Sequence, residues 1–153
     1  MLTFKFLHIV LMFSAVTLFI GGEVIFAGVA RSGDVRAMKR VGAVTRKADS
    51  VGLASLILGV GAGFLTATTG HFDLTARWLI LAYVLVGIIF AVGLLVFTPR
   101  FERIMKAAEA SPDDEPSEEL ARLIDPRRER LVMVVDIALW ASMIFVMVRK
   151  PFA

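Results

Sequence analysis

The chain has 153 residues, of which 58% are hydrophobic and 20% charged, and it has a net charge of +3 and no cysteine. The absence of cysteine excludes disulfides, thiolate metal sites and cysteine nucleophiles. The apolar excess excludes an ordinary soluble domain, which would carry more charge. The basic residues flank apolar stretches and form no separate module, which argues against nucleic acid as a partner.

Four long apolar stretches follow one another along the chain: residues 4–29, 51–69, 78–97 and 131–148. Each reaches or approaches the roughly 20 residues that an α-helix needs to cross the hydrocarbon of a bilayer. The sequence therefore predicts an all-α integral membrane protein built as a four-helix bundle. Because four spans use most of the length, we expect one membrane domain over residues 1–153.

Residues in the connections between the spans indicate where the helices begin and end. Good helix formers without proline precede the second span, so this helix is expected to begin early and to extend into the preceding loop. Pro99 follows the third span, and Asp125-Pro126 is typical of an N-cap followed by proline at the first helical position. The acidic stretch 109–119 is expected to be a solvated linker, with a short amphipathic helix near residues 120–124 after it.

Positive charge is distributed unevenly between the two sides of the predicted bundle. The loop 30–50 carries six of the 17 lysine and arginine residues, and the loop 99–130 carries seven. Since basic loops stay in the cytoplasm, both loops are predicted to be cytoplasmic and both termini to lie on the outer face. The pattern indicates a multi-pass protein of the cell inner membrane, surrounded by the lipid bilayer.

Small residues recur along one face of the second span. Gly59 and Gly63 form a GxxxG step, which allows two helix backbones to approach closely. We expect this step to pack against another helix of the same bundle. The alternative is a seam between subunits, either in a homo-oligomer or with other membrane proteins.

Three ionisable residues lie within the apolar stretches: His8, Glu23 and Asp136. Such residues are costly in a bilayer and are candidates for function. Two carboxyl groups at matching depth could share a proton or an ion, which predicts proton or ion conduction through Glu23 and Asp136. The alternative is that both are neutral and hydrogen-bonded across helices, or that they pair with arginines of the loops.

The two histidines, His8 and His71, raise the possibility of haem, because histidines on facing helices ligate b-type haem in membrane bundles. His71 lies in the short outer loop, so ligation through His8 alone is the simpler hypothesis. The alternative for His8 is an interfacial side chain bonded to a backbone carbonyl or a lipid headgroup. No ligand spacing indicates a metal site, and no motif predicts a catalytic residue.

The segment Lys5-Phe6-Leu7-His8-Ile9, followed by Phe19-Ile20-Gly21-Gly22, resembles the opening of small bacterial membrane proteins of the copper-resistance-protein-D-like group. This group includes the J-type protoporphyrinogen oxidases and several integral membrane families of unknown function, and the chain is most similar to one of the latter. In the oxidase branch, the histidine that matches His8 is implicated in binding b-type haem. The chain departs from that branch in having Thr17-Leu18 where tryptophan is usual, and in having no basic residue within its fourth span.

These observations predict a small integral membrane protein with a structural or accessory role in a larger membrane assembly, and not an enzyme. The first alternative is a haem-b-binding redox protein that uses His8 as an axial ligand. The second is proton or ion conduction through Glu23 and Asp136.

Overall fold

The computed structural model describes residues 2–151; residues 1 and 152–153 of the expected domain lie outside the described part. The described residues form six α-helices and one π-helical turn: α1 (Leu2–Ser32), α2 (Val35–Thr69), α3 (Arg77–Val92), the π-helical turn (Gly93–Phe97), α4 (Thr98–Ala110), α5 (Glu118–Leu123) and α6 (Pro126–Arg149). Four helical runs are long and apolar enough to cross a membrane, and no strand occurs within residues 2–151. The prediction of an all-α membrane bundle is confirmed.

The early start of the second helix is also confirmed. α2 begins at Val35 and has 35 residues, which corresponds to about 52 Å of helix and so exceeds the hydrocarbon thickness by about 20 Å. Its start is fixed by Asp34, whose side chain accepts a hydrogen bond from the backbone N–H of Ala37 at 2.8 Å. Gly33, at φ +73°, supplies the left-handed backbone that reverses the chain between α1 and α2.

The third span does not end before Pro99. Helix continues from Arg77 to Ala110, and the five residues that precede Thr98 form the π-helical turn, in which the Thr98 N–H donates to the carbonyl of Gly93. Proline lacks the N–H of a helical bond, and its ring clashes with the carbonyl four residues earlier. The wider π-helical turn makes room for that ring, so the helix passes Pro99 instead of stopping there.

The four spanning runs are arranged as two pairs, α1 with α2 and α3 with α6. The pairs meet through α1 with α6 and through α2 with α4, whereas no Cα atom of α2 lies within 8 Å of one in α3 among the described residues. Large apolar side chains cover the outside of the bundle, with Phe13 73% and Leu95 76% exposed, as expected for contact with lipid.

The bundle has two distinct ends. At the terminal end, the end of α6 lies beside the connection between α2 and α3, because the Nζ of Lys150 is 4.7 Å from the ring centre of Phe72 and 5.3 Å from that of Trp78. The start of α1 lies at the same end, because His8 donates to the carbonyl of Gly59 in the last part of α2. The basic end holds the other two connections. That both termini share one end agrees with the predicted topology, and the side of the membrane on which this end lies stays a prediction.

The acidic stretch 109–119 is less free than a solvated linker. α4 extends through the first two residues of this stretch, and α5 begins at Glu118. Between them, Lys39 of α2 donates to the Ser111 carbonyl at 2.9 Å and to the Asp113 carboxylate at 2.8 Å. Opposite charge on α2 therefore fixes this segment to the basic end, and apolar side chains of α4 and α5 pack over the α1–α2 turn beneath it.

Candidate functional site

A cavity of about 330 Å³ lies between the two helix pairs, in the half of the bundle nearer the basic end. It exists because α2 and α3 stay apart while α4 closes back onto α2. All four spanning runs contribute to its wall. Thirteen of the lining residues are ionisable or aromatic: Phe19, Glu23, Phe26, Arg46, Asp49, Phe90, Phe97, Arg100, Phe101, Glu102, Glu129, Asp136 and Trp140.

Two arginines in the wall are each paired with a carboxylate. Arg100 of α4 donates to Glu129 of α6, and this pair is largely buried, with the two side chains 18% and 9% exposed. Arg46 of α2 donates through two nitrogens to Glu102 of α4, at 3.0 and 3.1 Å, and both of these side chains are about half exposed. The second pair therefore marks the side on which the cavity reaches solvent.

Three further carboxyl groups face the cavity without an arginine or lysine partner. These are Glu23, Asp49 and Asp136, and none of them forms an ion pair within 4.0 Å inside residues 2–151. Once each arginine has been matched with its carboxylate, the wall therefore has an excess of three acidic groups. This excess is the main electrostatic feature of the cavity.

Asp136 is the most deeply placed of the three. It is 8% exposed and lies on α6 one helical turn before Trp140, whose indole also lines the cavity and is 2% exposed. An ionised carboxylate without a cationic partner is expensive at such a position. Asp136 therefore carries a proton there, or it meets a positive charge that enters the cavity.

Glu23 and Asp49 lie beside each other at the contact of α1 with α2. A Cβ atom added to Gly22 would be 3.4 Å from the Thr45 methyl group and 3.9 Å from Oδ1 of Asp49. The absence of a side chain at Gly22 thus allows the Asp49 carboxyl group to sit against α1, next to the residue that carries Glu23. Asp136 is carried by a third helix, α6, and no three His, Asp or Glu side chains of residues 2–151 gather closely enough to hold a metal ion.

Aromatic rings make up much of the remaining wall. Phe19 of α1 stacks on Trp140 with ring centres 6.2 Å apart and planes 25° apart. Phe26 meets Phe101 edge to face at 5.0 Å. Two more rings, those of Phe90 and Phe97, border the same space. The cavity therefore combines uncompensated acidic groups with the negative faces of aromatic rings.

The cavity does not continue through the bundle. Leu56, Ile89 and Trp140 line the cavity at its inner limit, and they belong to an apolar core whose other buried members do not line it: Ala15, Ala82, Met143 and Val146. A second small core, formed by Ala67, Trp78 and Leu79, closes the terminal end itself. The site is therefore accessible from the basic end and closed on the opposite side.

His8 lies far from this cavity, on the face of α1 that packs against α2. Its Nδ1 lies 2.7 Å from the Gly59 carbonyl oxygen and donates to it, and the ring rests on Gly63, where an added Cβ would be 2.8 Å from Nδ1. This contact matches the alternative of a side chain bonded to a backbone carbonyl. His71 is exposed in the connection between α2 and α3.

The residues around His8 do not fit a haem. The imidazole is held between two helices that touch, and His8 lines neither the cavity between the helix pairs nor a second cavity along α1 and α2. The second histidine is exposed in a connection and lies outside both cavities. Haem ligation by His8 stays a prediction from the sequence, and its test is the visible spectrum of the purified protein.

Gly59 and Gly63 both face α1 of the same chain. A Cβ at Gly59 would be 2.9 Å from the Met12 sulfur and 3.3 Å from the Leu11 Cβ, whereas a Cβ at Gly61 would have no neighbour within 4 Å. The step predicted for helix packing thus lies inside the α1–α2 contact, and Gly61 between them points away from it. This placement favours packing within the bundle over a seam between subunits.

Glu23 and Asp136, the two carboxyl groups predicted as candidates, line one cavity in the structure. Glu129 extends the face of the fourth span that carries Asp136, whereas Asp49 and Arg100 were not predicted because they lie two and three positions outside the predicted spans. Their closeness to the span ends is the signal that could have found them. A charged residue at such a position can face inward as well as outward, and only the pairing of the helices decides between the two.

The chain matches the family model described as "Predicted integral membrane protein (DUF2269)" over residues 2–151. No curated protein and no solved structure matches the chain. The family match confirms the prediction of a membrane family without an assigned role, and it gives no support to the wider copper-resistance-protein-D-like grouping. On this match, which spans nearly the whole sequence, the chain belongs to the DUF2269 family of predicted integral membrane proteins.

Proposed function

We propose that the protein binds a cation in the cavity between its two helix pairs and releases protons as it does so. The observation that supports this proposal is the excess of three unpaired carboxyl groups around the cavity. One of them, Asp136, is 8% exposed and lies deep in the wall.

The coupling to protons follows from the surroundings of these groups. A carboxyl group in an apolar wall is tolerated either when it is protonated or when a positive charge neutralises it. A cation that enters the cavity therefore competes with protons for Glu23, Asp49 and Asp136. The arginines in the wall, Arg46 and Arg100, form their ion pairs with Glu102 and Glu129.

The shape of the site favours binding over simple conduction. A conducting path needs polar groups or water across the whole bilayer, whereas the terminal half of the bundle is packed with apolar side chains. Conduction through Glu23 and Asp136 would use the same acidic groups and would require that core to open. It stays a prediction, as does the structural or accessory role, which requires no ligand in the cavity.

Proton release on cation binding tests the proposal directly. The purified protein, in lipid nanodiscs and weak buffer, is titrated with the chloride salts of sodium, potassium, ammonium, guanidinium, tetramethylammonium and benzyltrimethylammonium. We expect at least one cation to release protons saturably from the wild type. We expect Asp136→Asn to abolish the release and Glu23→Gln to reduce it.

The matched control is Glu115→Gln, which removes an exposed carboxyl group in the segment between α4 and α5, outside the cavity wall. This variant should release protons as the wild type does. If no cation of the series releases protons, or if Asp136→Asn leaves the release unchanged, the cavity is not a cation site. In that case the accessory role becomes the leading explanation.

A further inference from the structure

We infer that the cation is an organic ammonium whose apolar body packs against the aromatic wall of the cavity. The inference rests on the proposed function and names the ligand class of the same site. It combines the carboxyl group of Asp136, which is 92% buried, lines the cavity and has no arginine or lysine partner among residues 2–151, with the aromatic rings beside it.

The aromatic side chains in the cavity wall favour an organic cation over a metal ion. Six aromatic side chains border a space of about 330 Å³: Phe19, Phe26, Phe90, Phe97, Phe101 and Trp140. Their faces attract cations, and they also provide apolar area that a hydrated metal ion cannot use. A cavity of this size is at the lower limit for small organic ligands and far exceeds the volume of a bare monovalent ion.

The positions of the acidic groups do not suit a calcium or magnesium ion. Calcium and magnesium are held by several oxygen ligands at about 2–2.6 Å, which requires carboxylates gathered around one point. No such group of three exists among residues 2–151. Glu23, Asp49 and Asp136 lie on three different helices, α1, α2 and α6. Such an arrangement suits a ligand whose positive charge is distributed over an alkylated nitrogen.

Elsewhere in the same protein, an ammonium group, that of Lys150, already lies against two aromatic rings. At the terminal end, the Nζ of Lys150 lies 4.7 Å from the Phe72 ring centre and 5.3 Å from that of Trp78. In the cavity, the rings of Phe19 and Trp140 have the same centre-to-centre distance as Phe72 and Trp78, 6.2 Å, but they are stacked with planes 25° apart, whereas Phe72 and Trp78 meet edge to face at 87°. Asp136, one turn from Trp140, adds the negative charge that the terminal site lacks.

The position of the two tryptophans provides a direct assay. The chain has two tryptophans, of which Trp140 lines the cavity and Trp78 lies at the terminal end. The variant Trp78→Phe leaves Trp140 as the fluorescent reporter of the cavity, and Trp140→Phe leaves Trp78 as the control reporter. The probes are benzyltrimethylammonium, its neutral isostere neopentylbenzene, tetramethylammonium and potassium.

We expect benzyltrimethylammonium to change the Trp140 fluorescence saturably and to leave that of Trp78 unchanged. Tetramethylammonium should bind at least about tenfold more weakly, because it lacks the aromatic body. On the Trp78→Phe background, Asp136→Asn should weaken benzyltrimethylammonium binding about tenfold or more, and Phe19→Leu about fivefold. Phe19→Leu keeps the charge of the site and separates the aromatic contribution from the electrostatic one.

The outcomes separate the ligand class from the proposed function. If potassium or tetramethylammonium releases protons as effectively as benzyltrimethylammonium and the Trp140 signal shows no aryl preference, the ligand class is wrong and the cation site stands. If neopentylbenzene binds as tightly as benzyltrimethylammonium, the charge is irrelevant and the inference fails. If no probe binds and no cation releases protons, both the inference and the proposed function fail.

Discussion

The contact between α1 and α2 and the gap between the two helix pairs lie side by side along α2, and they differ in almost every respect. At the contact, a Cβ atom added to Gly52, Gly59 or Gly63 would lie within 3.4 Å of a side chain of α1, and His8 donates to the Gly59 carbonyl. At the gap, a neighbouring face of the same helix carries Arg46 and Asp49, and α3 stays out of reach.

The difference shows how one helix can support both tight packing and a cavity. Small residues at four-residue spacing remove the bulk between two backbones and let them touch along their length. Long charged side chains and rings on the next face hold the second pair at a distance, and the ion pair between Arg46 of α2 and Glu102 of α4 spans the space that results. The gap therefore persists because its border is held by specific charges, not because packing there is poor.

The largest effect is expected from breaking the buried ion pair that holds α4 against α6. Arg100→Leu leaves Glu129, which is 9% exposed, without its cationic partner. Removing one member of a buried pair costs about 3 kcal/mol or more. We expect a clear fall of the midpoint in thermal unfolding of the protein in mild detergent.

The control for this prediction is Arg46→Leu, which breaks the half-exposed pair with Glu102 at the border of the same cavity. Exposed pairs contribute about 0–1 kcal/mol, so the midpoint should change little. The double variant Arg100→Leu, Glu129→Leu should recover much of the loss, because no unpaired charge remains. Equal losses for Arg100→Leu and Arg46→Leu would contradict a special role for the buried pair.

A smaller effect is expected from adding one methyl group to the α1–α2 contact. In Gly63→Ala, the new Cβ would lie 2.8 Å from Nδ1 and 2.9 Å from Cε1 of His8, so the ring must move and its bond to the Gly59 carbonyl must weaken. Overpacking of this kind costs about 1–3 kcal/mol. Thermal unfolding in the same detergent measures the loss.

Gly61→Ala is the matched control, because a Cβ at that position meets nothing within 4 Å. Alanine has the higher helix propensity, so this variant should be as stable as the wild type or slightly more stable. If both substitutions destabilise the protein equally, the glycines act through the backbone alone and not through the contact with α1. A loss in Gly61→Ala alone would indicate that the lipid-facing side of α2 is an interface.

Much of the fold could be predicted from the sequence because its signals are local. The length and hydropathy of the spans predicted four helices, and Asp125 caps α6 as predicted, accepting a hydrogen bond from the Arg127 N–H. The passage of the helix beyond Pro99 could not be predicted, since it depends on the π-helical turn. The π-helical turn relieves the clash between the Pro99 ring and the preceding turn of the helix. No single residue of the segment indicates it in the sequence.

The site was predictable only in part, for a related reason. Glu23 and Asp136 attracted attention because charge inside an apolar stretch is visible in the sequence. The cavity that both residues line depends on which helices pack together. α1 packs against α6 and α2 against α4, and these contacts join parts of the chain that are distant in sequence. The packing of the helices also places Arg100 next to Glu129, so Arg100 forms its ion pair with Glu129 and not with Asp136.

The smallest effect concerns the basic end of the gap, where the segment between α4 and α5 is fastened to α2. A hydrogen bond from Lys39, reinforced by its charge, lowers the pKa of the Asp113 carboxyl group below its usual value of about 3.9. Because the folded-state pKa is lowered, the stabilisation is present above the ordinary pKa and is lost as the pH falls through the lowered one. The fastening therefore holds at neutral pH and loosens only in acid.

Carboxyl ¹³C NMR measures this titration at Asp113 directly. We expect Lys39→Gln to move the pKa of Asp113 upward, towards its ordinary value, and Lys47→Gln, about two turns further along α2, to leave it unchanged. Both side chains of the pair are at least partly exposed, so α4 should stay docked in either variant through its apolar face. If Lys39→Gln instead released α4 and altered ligand binding in the cavity, the gap would be held open from its basic end and not by the Arg46–Glu102 pair at its border.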